Sequence, residues 1–172
     1  SAQLAAIFDA AAQANPGVSK AFIYAMAEYE SGFRPENKLD TRGRTDLPRN
    51  QKPEYSLGLY QINVNPGTPA GSYGEEKLQV EHAVSDQLFD PAFIVPFWVK
   101  WYVKPKLNKA SVKDRTGADK WLTMRAWLQG FGRPLSSNPT LDVLTLNIGG
   151  RNVLQLFQPT LLKWMRRFNE QI

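Results

Sequence analysis

The chain has 172 residues, of which 42% are hydrophobic and 22% charged, with a formal net charge of +5. That profile describes an ordinary globular protein able to bury a core without disulfide staples, and the length suits a single domain. With no cysteine and one histidine, His82, the sequence excludes a thiol nucleophile, thiolate metal ligation and a multi-histidine metal centre. The longest apolar run, Ala92 to Val99, is eight residues and contains Pro96, too short to span a bilayer.

The Ala-rich stretch Gln3 to Ala14 reads as a helix stopped by Asn15-Pro16-Gly17. A second helix is expected after Ser19, its N-cap, running to about Tyr29 or Glu30 before Gly32 stops it. Its apolar stripe is Phe22, Ile23, Met26 and Tyr29. Arg34 to Glu54 carries Pro35, Pro48 and Pro53 and six basic against four acidic side chains, so it reads as a long surface excursion. Ser56 to Val64 suits a short strand or extended turn.

His82 sits in a polar run, Gln79 to Gln87, and reads as an exposed helix histidine. Asp90-Pro91 is a helix start, with Asp as cap and Pro at the first helical position. Phe89, Phe93, Phe97 and Trp101 then recur every four residues, a stripe read as core packing, with Pro96 kinking the helix. Lys104 to Lys120 holds six basic residues against Asp114 and Asp119, which favours an anionic partner or makes a solvated loop. Further helices are expected over Asp119 to Gln129, near Leu141 to Asn147, and over Pro159 to Glu170. The fold class that follows is mainly α, with a small irregular β element near residues 56–64. The chain is read as one domain with an inserted loop at about 34–54. It opens on Ser1 without a signal-peptide pattern, which reads as a processed product, an excised domain or a cloned fragment.

Most catalytic schemes fail for want of parts. No serine has nucleophile-elbow glycines around it, and neither Gly130-Phe131-Gly132 nor Gly149-Gly150 has the context of a phosphate loop. Carboxylate chemistry remains. Glu30 continues the line Phe22, Met26, Glu30 and so extends the apolar stripe, whereas Glu28 lies about 200° round the helix and reads as an ordinary solvated residue. A carboxyl at the end of an apolar stripe loses hydration, and the helix C-terminus adds negative potential; both raise its pKa. The product is an acid still partly protonated near neutral pH, as proton donation to a leaving group requires. A glutamate at a helix end also serves purely structural purposes, so spacing alone leaves both readings open.

Three segments carry a resemblance. Glu30-Ser31-Gly32-Phe33-Arg34-Pro35, then Gly58-Leu59-Tyr60-Gln61-Ile62, then Asn65-Pro66-Gly67-Thr68 resemble the signature of soluble lytic transglycosylase domains, relatives of goose-type lysozyme that cleave peptidoglycan. Phe89-Asp90-Pro91 fits a later family element, and Ala126-Trp127-Leu128-Gln129-Gly130 loosely fits the last. The resemblance covers about Val18 to Arg133. The chain departs from the pattern in the added length at 34–54, in Tyr60 for the usual Met, and in Trp127-Leu128 for the usual Tyr-Asn.

The resemblance implies a lysozyme-like fold with a cleft beside the catalytic helix, Glu30 as sole acid and base, and 1,6-anhydromuramyl products. It implies substrate binding by Ser31, Tyr60, Gln61, Asn63, Trp127 and Gln129; local turn and backbone hydrogen bonds are the plainer reading of Ser31 and Gln61, and core packing that of Trp127. Peptidoglycan glycan strands are the expected partner, with no nucleic acid, membrane span, metal or cofactor. The chain is expected as a monomer or as a domain of a larger assembly, in the periplasm or cell wall or on a phage virion. The alternatives are a lysozyme-type hydrolase, drawing a second carboxylate from Asp40, Asp46 or Glu54, and a non-catalytic wall-binding module on the same fold. A nucleic-acid binder comes third, motivated only by the basic segment.

Overall fold

The structure is a computed structural model that describes residues 1–48, 51–105 and 153–170. It is mainly helical, with one small three-stranded antiparallel sheet. The chain divides into two compact units, Ser1–Tyr29 with Val99–Ile172, and Glu30–Trp98. The helices expected over 119–129 and 141–147, the basic residues after Lys104, and Trp127 and Gln129 lie outside the described residues.

The first unit contains α1 (Ala2–Ala14), most of α2 (Lys20–Ser31) and the C-terminal helix, named α5 below. Ser1 caps α1 by accepting from the Leu4 N–H at 3.2 Å. Asn15 closes it, its side-chain amide donating to the Ala11 carbonyl at 2.9 Å. Ser19 caps α2 as expected, its Oγ accepting from the Phe22 N–H at 3.2 Å. The carboxylate of Glu170 joins that cap, accepting from Ser19 Oγ and from the Ala21 N–H. A negative group at a helix N-terminus is where the macrodipole favours one. Ala21, Phe22, Ile23, Ala25 and Ala27 are buried, the alanines allowing close approach and the larger side chains each contributing about 1.5–3 kcal/mol of burial. Phe22 meets Phe157 edge-on, and Tyr24 packs against Phe8, Trp164 and Phe168 with ring centroids 4.8–4.9 Å apart.

The second unit opens with the last residues of α2 and Gly32, which takes a left-handed φ of +60° and ends the helix. The surface excursion contains a strand the sequence did not suggest: β1 (Lys38–Asp40) pairs antiparallel with β2 (Tyr55–Leu57), Leu39 opposite Ser56. All three β1 residues are exposed, so no hydrophobic alternation marks it. β2 pairs in turn with β3 (Ile62–Asn63), resolving Ser56 to Val64 into a tight hairpin. Next comes α3 (Pro69–Val80), also unanticipated, with Thr68 as N-cap and Pro69 in its first turn. His82 is exposed but not helical: it follows the end of α3 with a left-handed φ of +53°.

A 3-10 turn (Ser85–Phe89) leads into α4 (Pro91–Trp98), where Asp90 accepts from the Ala92 N–H at 3.0 Å. Past Pro96 the winding widens to a π turn (Val99–Val103), the response to a residue that cannot donate to the helical ladder. Of the aromatic stripe, Phe97 is buried and stacks on Phe93, while Phe89, Phe93 and Trp101 are half-buried. Leu57, Leu59, Ile62, Val64, Leu78, Leu88, Ile94 and Val95 form the core of this unit. α5 (Val153–Arg167) starts six residues before Pro159, the expected start, and ends at Arg167. Among the described residues, no helix is long and apolar enough to cross a membrane.

Candidate active site

Glu30 is the penultimate residue of α2 and is half-buried. Among the described residues its carboxyl has no hydrogen-bond donor and no cation beside it. Burial pushes this carboxyl up to about 7, and the negative charge of Glu54 adds to the shift. The raised pKa expected from the stripe is therefore present. Its main cause is lost hydration, as argued from sequence, and its second cause is a carboxylate from a residue 24 positions away.

Glu28, two residues earlier, is the opposite case. It is not the solvated residue expected: its carboxylate forms an ion pair with Lys163, and its Oε2 accepts from the Trp164 indole N–H at 3.0 Å. Asp40 and Asp46, two of the three carboxylates weighed as a second acid, are exposed, and each pairs with an arginine two residues away along the chain. Arg42 grips Asp40 and Arg44 grips Asp46, each through two guanidinium nitrogens. Arg42 holds Asp40 at about 2. Of these three, Glu54 is the one whose charge acts on Glu30.

The hairpin residues are held by backbone contacts of a specific kind. Gly58, at φ +78°, packs so tightly that a Cβ there would stand 2.1 Å from the Leu88 carbonyl oxygen. Gln61 itself has a left-handed φ of +47°, sparsely populated for a residue with a side chain. Its amide nitrogen donates to the Asn37 carbonyl at 3.0 Å and to the Gly58 carbonyl at 2.9 Å. The Asn37 carbonyl also accepts from the Gly58 N–H at 2.8 Å. The turn-stabilising reading of Gln61 thus holds for its nitrogen, and among the described residues its oxygen has no donor and is the end left to accept from a ligand.

Tyr60 is buried, with one ring face covered by Trp98 at a centroid separation of 3.9 Å and an interplanar angle of 2°. Asn63 is occupied at both ends: its oxygen accepts from the Asn65 N–H at 2.9 Å, and its nitrogen donates to Thr68 Oγ1 at 3.4 Å. Ser31 is buried, and its carbonyl accepts from the Arg34 N–H and Nε, which sets the chain direction after Glu30. Two residues without a candidate role in the sequence matter here: Asn37, whose carbonyl anchors Gln61, and Ser56, whose hydroxyl donates to Glu54 Oε2 at 2.7 Å. Neither carries a local signal; both are set by strand pairing.

Among the described residues, no cluster of three or more histidine, cysteine, aspartate or glutamate side chains is disposed to hold a metal ion. The chemistry this arrangement supports is proton transfer by one tuned carboxyl near a second, charged one. No family model, curated protein or solved structure matches this chain.

Proposed function

We propose that the chain is a peptidoglycan lytic transglycosylase that cleaves the β-1,4 bond between N-acetylmuramic acid and N-acetylglucosamine. The observation that carries the reading is Glu30: a sheltered carboxyl, unanswered by any donor or cation among the described residues, that burial pushes up to about 7. The ordered motifs around Glu30, Gly58 to Ile62 and Asn65 to Thr68 supply the substrate class by resemblance.

In this mechanism protonated Glu30 gives its proton to the glycosidic oxygen as the C1–O bond breaks. The carboxylate so formed then takes the proton of the muramyl C6 hydroxyl while that oxygen bonds to C1, closing the 1,6-anhydro ring and restoring the acid. One carboxyl acting first as acid and then as base needs no water, and a group titrating near neutrality is suited to both steps. The Gln61 oxygen is the candidate acceptor for a substrate N–H or O–H. Such an enzyme acts at the wall, from the periplasm or from a phage virion, alone or as a domain of an assembly.

The test is mass spectrometry of muropeptides released from purified peptidoglycan. The unmodified protein should release anhydro ends, and Glu30→Gln should release none while keeping its circular dichroism spectrum. Release of hydrolysed reducing ends in place of anhydro ends, or no release at all, defeats the reading.

A further inference from the structure

The chain leaves α2 through a turn that its sequence only half favours. Gly32 and Phe33 both take left-handed backbone angles, φ +60° and +61°, and the Arg34 N–H closes the turn on the Ser31 carbonyl at 3.2 Å. Two left-handed central residues mark a turn in which glycine, asparagine and aspartate dominate. Gly32 meets that demand. Phe33 does not: a bulky side chain in this region is strained, and such strain gathers at functional sites.

The turn brings Arg34 back toward the acid. Its Nε donates to the Ser31 carbonyl at 3.1 Å, one peptide unit from Glu30, and a Cβ at Gly32 would stand 3.9 Å from that nitrogen. The backbone is fixed as well, because the Arg34 carbonyl accepts from the Asn37 N–H at 3.1 Å and Pro35 follows. Asn37 is the residue whose carbonyl holds the Gln61 amide at 3.0 Å. Arg34 thus belongs to one run of hydrogen bonds that starts beside Glu30 and ends at Gln61.

Its charge, unlike its backbone, is left over. Arg42 and Arg44, further along the same excursion, are each gripped by an aspartate. Arg34 is exposed and, among the described residues, pairs with no carboxylate. Nε has spent its proton on Ser31, so the N–H groups of both terminal nitrogens remain, a fork that can grip a carboxylate through two parallel bonds. A fork held in place beforehand loses less freedom when an anion binds.

We propose that Arg34 is a substrate-binding residue of the Glu30 site and grips a carboxylate on the muramyl unit, either that of a free lactyl group or one on the attached peptide. This rests on the function proposed above and adds to it the anionic group by which the substrate is held. The strained turn at Gly32 and Phe33 is the device that places the guanidinium there.

The experiment titrates the full chain, Arg34→Ala and Arg34→Lys with three probes, followed by the Arg34 Nε–H resonance and the backbone amides of residues 31–37. N-acetylmuramic acid carries a free lactyl carboxylate, N-acetylmuramyl-L-alanyl-D-glutamate carries its carboxylates on the peptide, and tri-N-acetylglucosamine carries none. An acidic probe should shift the Arg34 resonance, and the one that shifts it further identifies the source of the carboxylate. Arg34→Ala should weaken that probe about tenfold and Arg34→Lys less, because an ammonium keeps the charge and loses the fork. No shift with either acidic probe, or an equal shift with the neutral trimer, overturns the proposal. In steady-state cleavage of glycan strands, KM should rise about tenfold in Arg34→Ala with kcat little changed. A fall in kcat at constant KM would mean that Arg34 only props the end of α2, which overturns the binding role. If the unmodified protein releases no anhydro ends, the proposed function falls, while the probe titration still decides whether Arg34 holds a carboxylate.

Discussion

The helical unit meets the charge of each carboxylate described in it, whereas the sheet unit pairs Asp40 and Asp46 with arginines and makes an exception of Glu30. In the helical unit every carboxylate described has its charge met. Asp9 accepts from the Tyr24 hydroxyl at 2.6 Å and pairs with Lys20 at 3.1 Å, Glu28 has Lys163 and Trp164, and Glu170 has Ser19 and the Ala21 N–H. The consequence at Asp9 is a carboxyl pushed below its usual range, chiefly by the Tyr24 hydrogen bond, while burial first and the bond to Asp9 second push the Tyr24 hydroxyl well above its own. In the sheet unit Glu30 has shelter without a partner among the described residues, and its carboxyl moves the other way. Structural carboxylates are satisfied because an unsatisfied one is costly to bury. Glu30 breaks that rule two residues from Glu28, which obeys it on the same helix.

The sharpest way to break this comparison is to remove the ionisation. Glu30→Gln keeps the shape and should abolish cleavage, a loss of 10²-fold or more as expected for a general acid. The same change should stabilise the fold at high pH. In the native state Glu30 binds its proton up to about 7, and in the unfolded chain only to about 4.5. Between those values the native state holds more protons, so stability falls as pH rises through the window and stays lower above it. The full cost is at most about 3 kcal/mol, and Glu30→Gln should recover part of it at pH 8 and none at pH 4. Urea unfolding at the two pH values checks this; equal stabilities of the two proteins at pH 8 would mean the carboxyl is not sheltered. Cleavage by the unmodified protein should decline above pH 7 as the acid loses its proton.

Backbone packing provides the next largest effect. Gly58→Ala would drive a Cβ to 2.1 Å from the Leu88 carbonyl oxygen and 2.8 Å from Ile94 Cδ1, at φ +78°. Gly71→Ala would place one 1.7 Å from the Asn65 carbonyl oxygen. Each should cost about 3 kcal/mol or more, since backbone must move to admit the methyl group. Gly43→Ala is the control: φ is again +78° but nothing lies within 4 Å, so only the left-handed conformation is penalised, at about 1 kcal/mol. Urea midpoints that rank Gly43→Ala with Gly58→Ala would show that conformation alone, and not the tight approach to Leu88, sets the hairpin.

These particulars show what a sequence of this kind makes legible. Ser19, Gly32 and Asp90-Pro91 act within four residues of themselves, so the ends of α2 and the start of α4 are readable. Glu30 is readable because burial of a helix face follows from spacing. α3 was obscured by its composition, since Gly71 and Gly74 weaken helix propensity and Thr68-Pro69 reads equally as part of a loop motif. β1 gives no pattern because Lys38, Leu39 and Asp40 are all exposed and are ordered by pairing with β2. The Glu54 charge at Glu30, the Asn37 carbonyl under Gln61 and the π turn after Pro96 depend on contacts or winding that no local periodicity encodes. The partly correct reading of Gln61 has the same origin: its turn role is local, whereas its anchor lies 24 residues away.

The smallest predicted effect is also the cleanest control. Glu28 is two residues from Glu30 and carries the same charge, so a general claim that acidic residues at the end of α2 matter would predict that Glu28→Gln harms cleavage. The pairing with Lys163 and Trp164 predicts otherwise. Lys163 is mostly exposed, so its ion pair is screened by water, and removing it should cost no more than about 1 kcal/mol. The glutamine can still accept from the Trp164 indole. Because Glu54 and burial account for the shift at Glu30, the titration midpoint near 7 should survive the change, and with it the decline of cleavage above pH 7. A Glu28→Gln protein whose Glu30 midpoint drops toward the ordinary 4.5 would show that charge near α2 acts on Glu30 without regard to place, and the distinction between a satisfied and an unsatisfied carboxyl would lose its meaning.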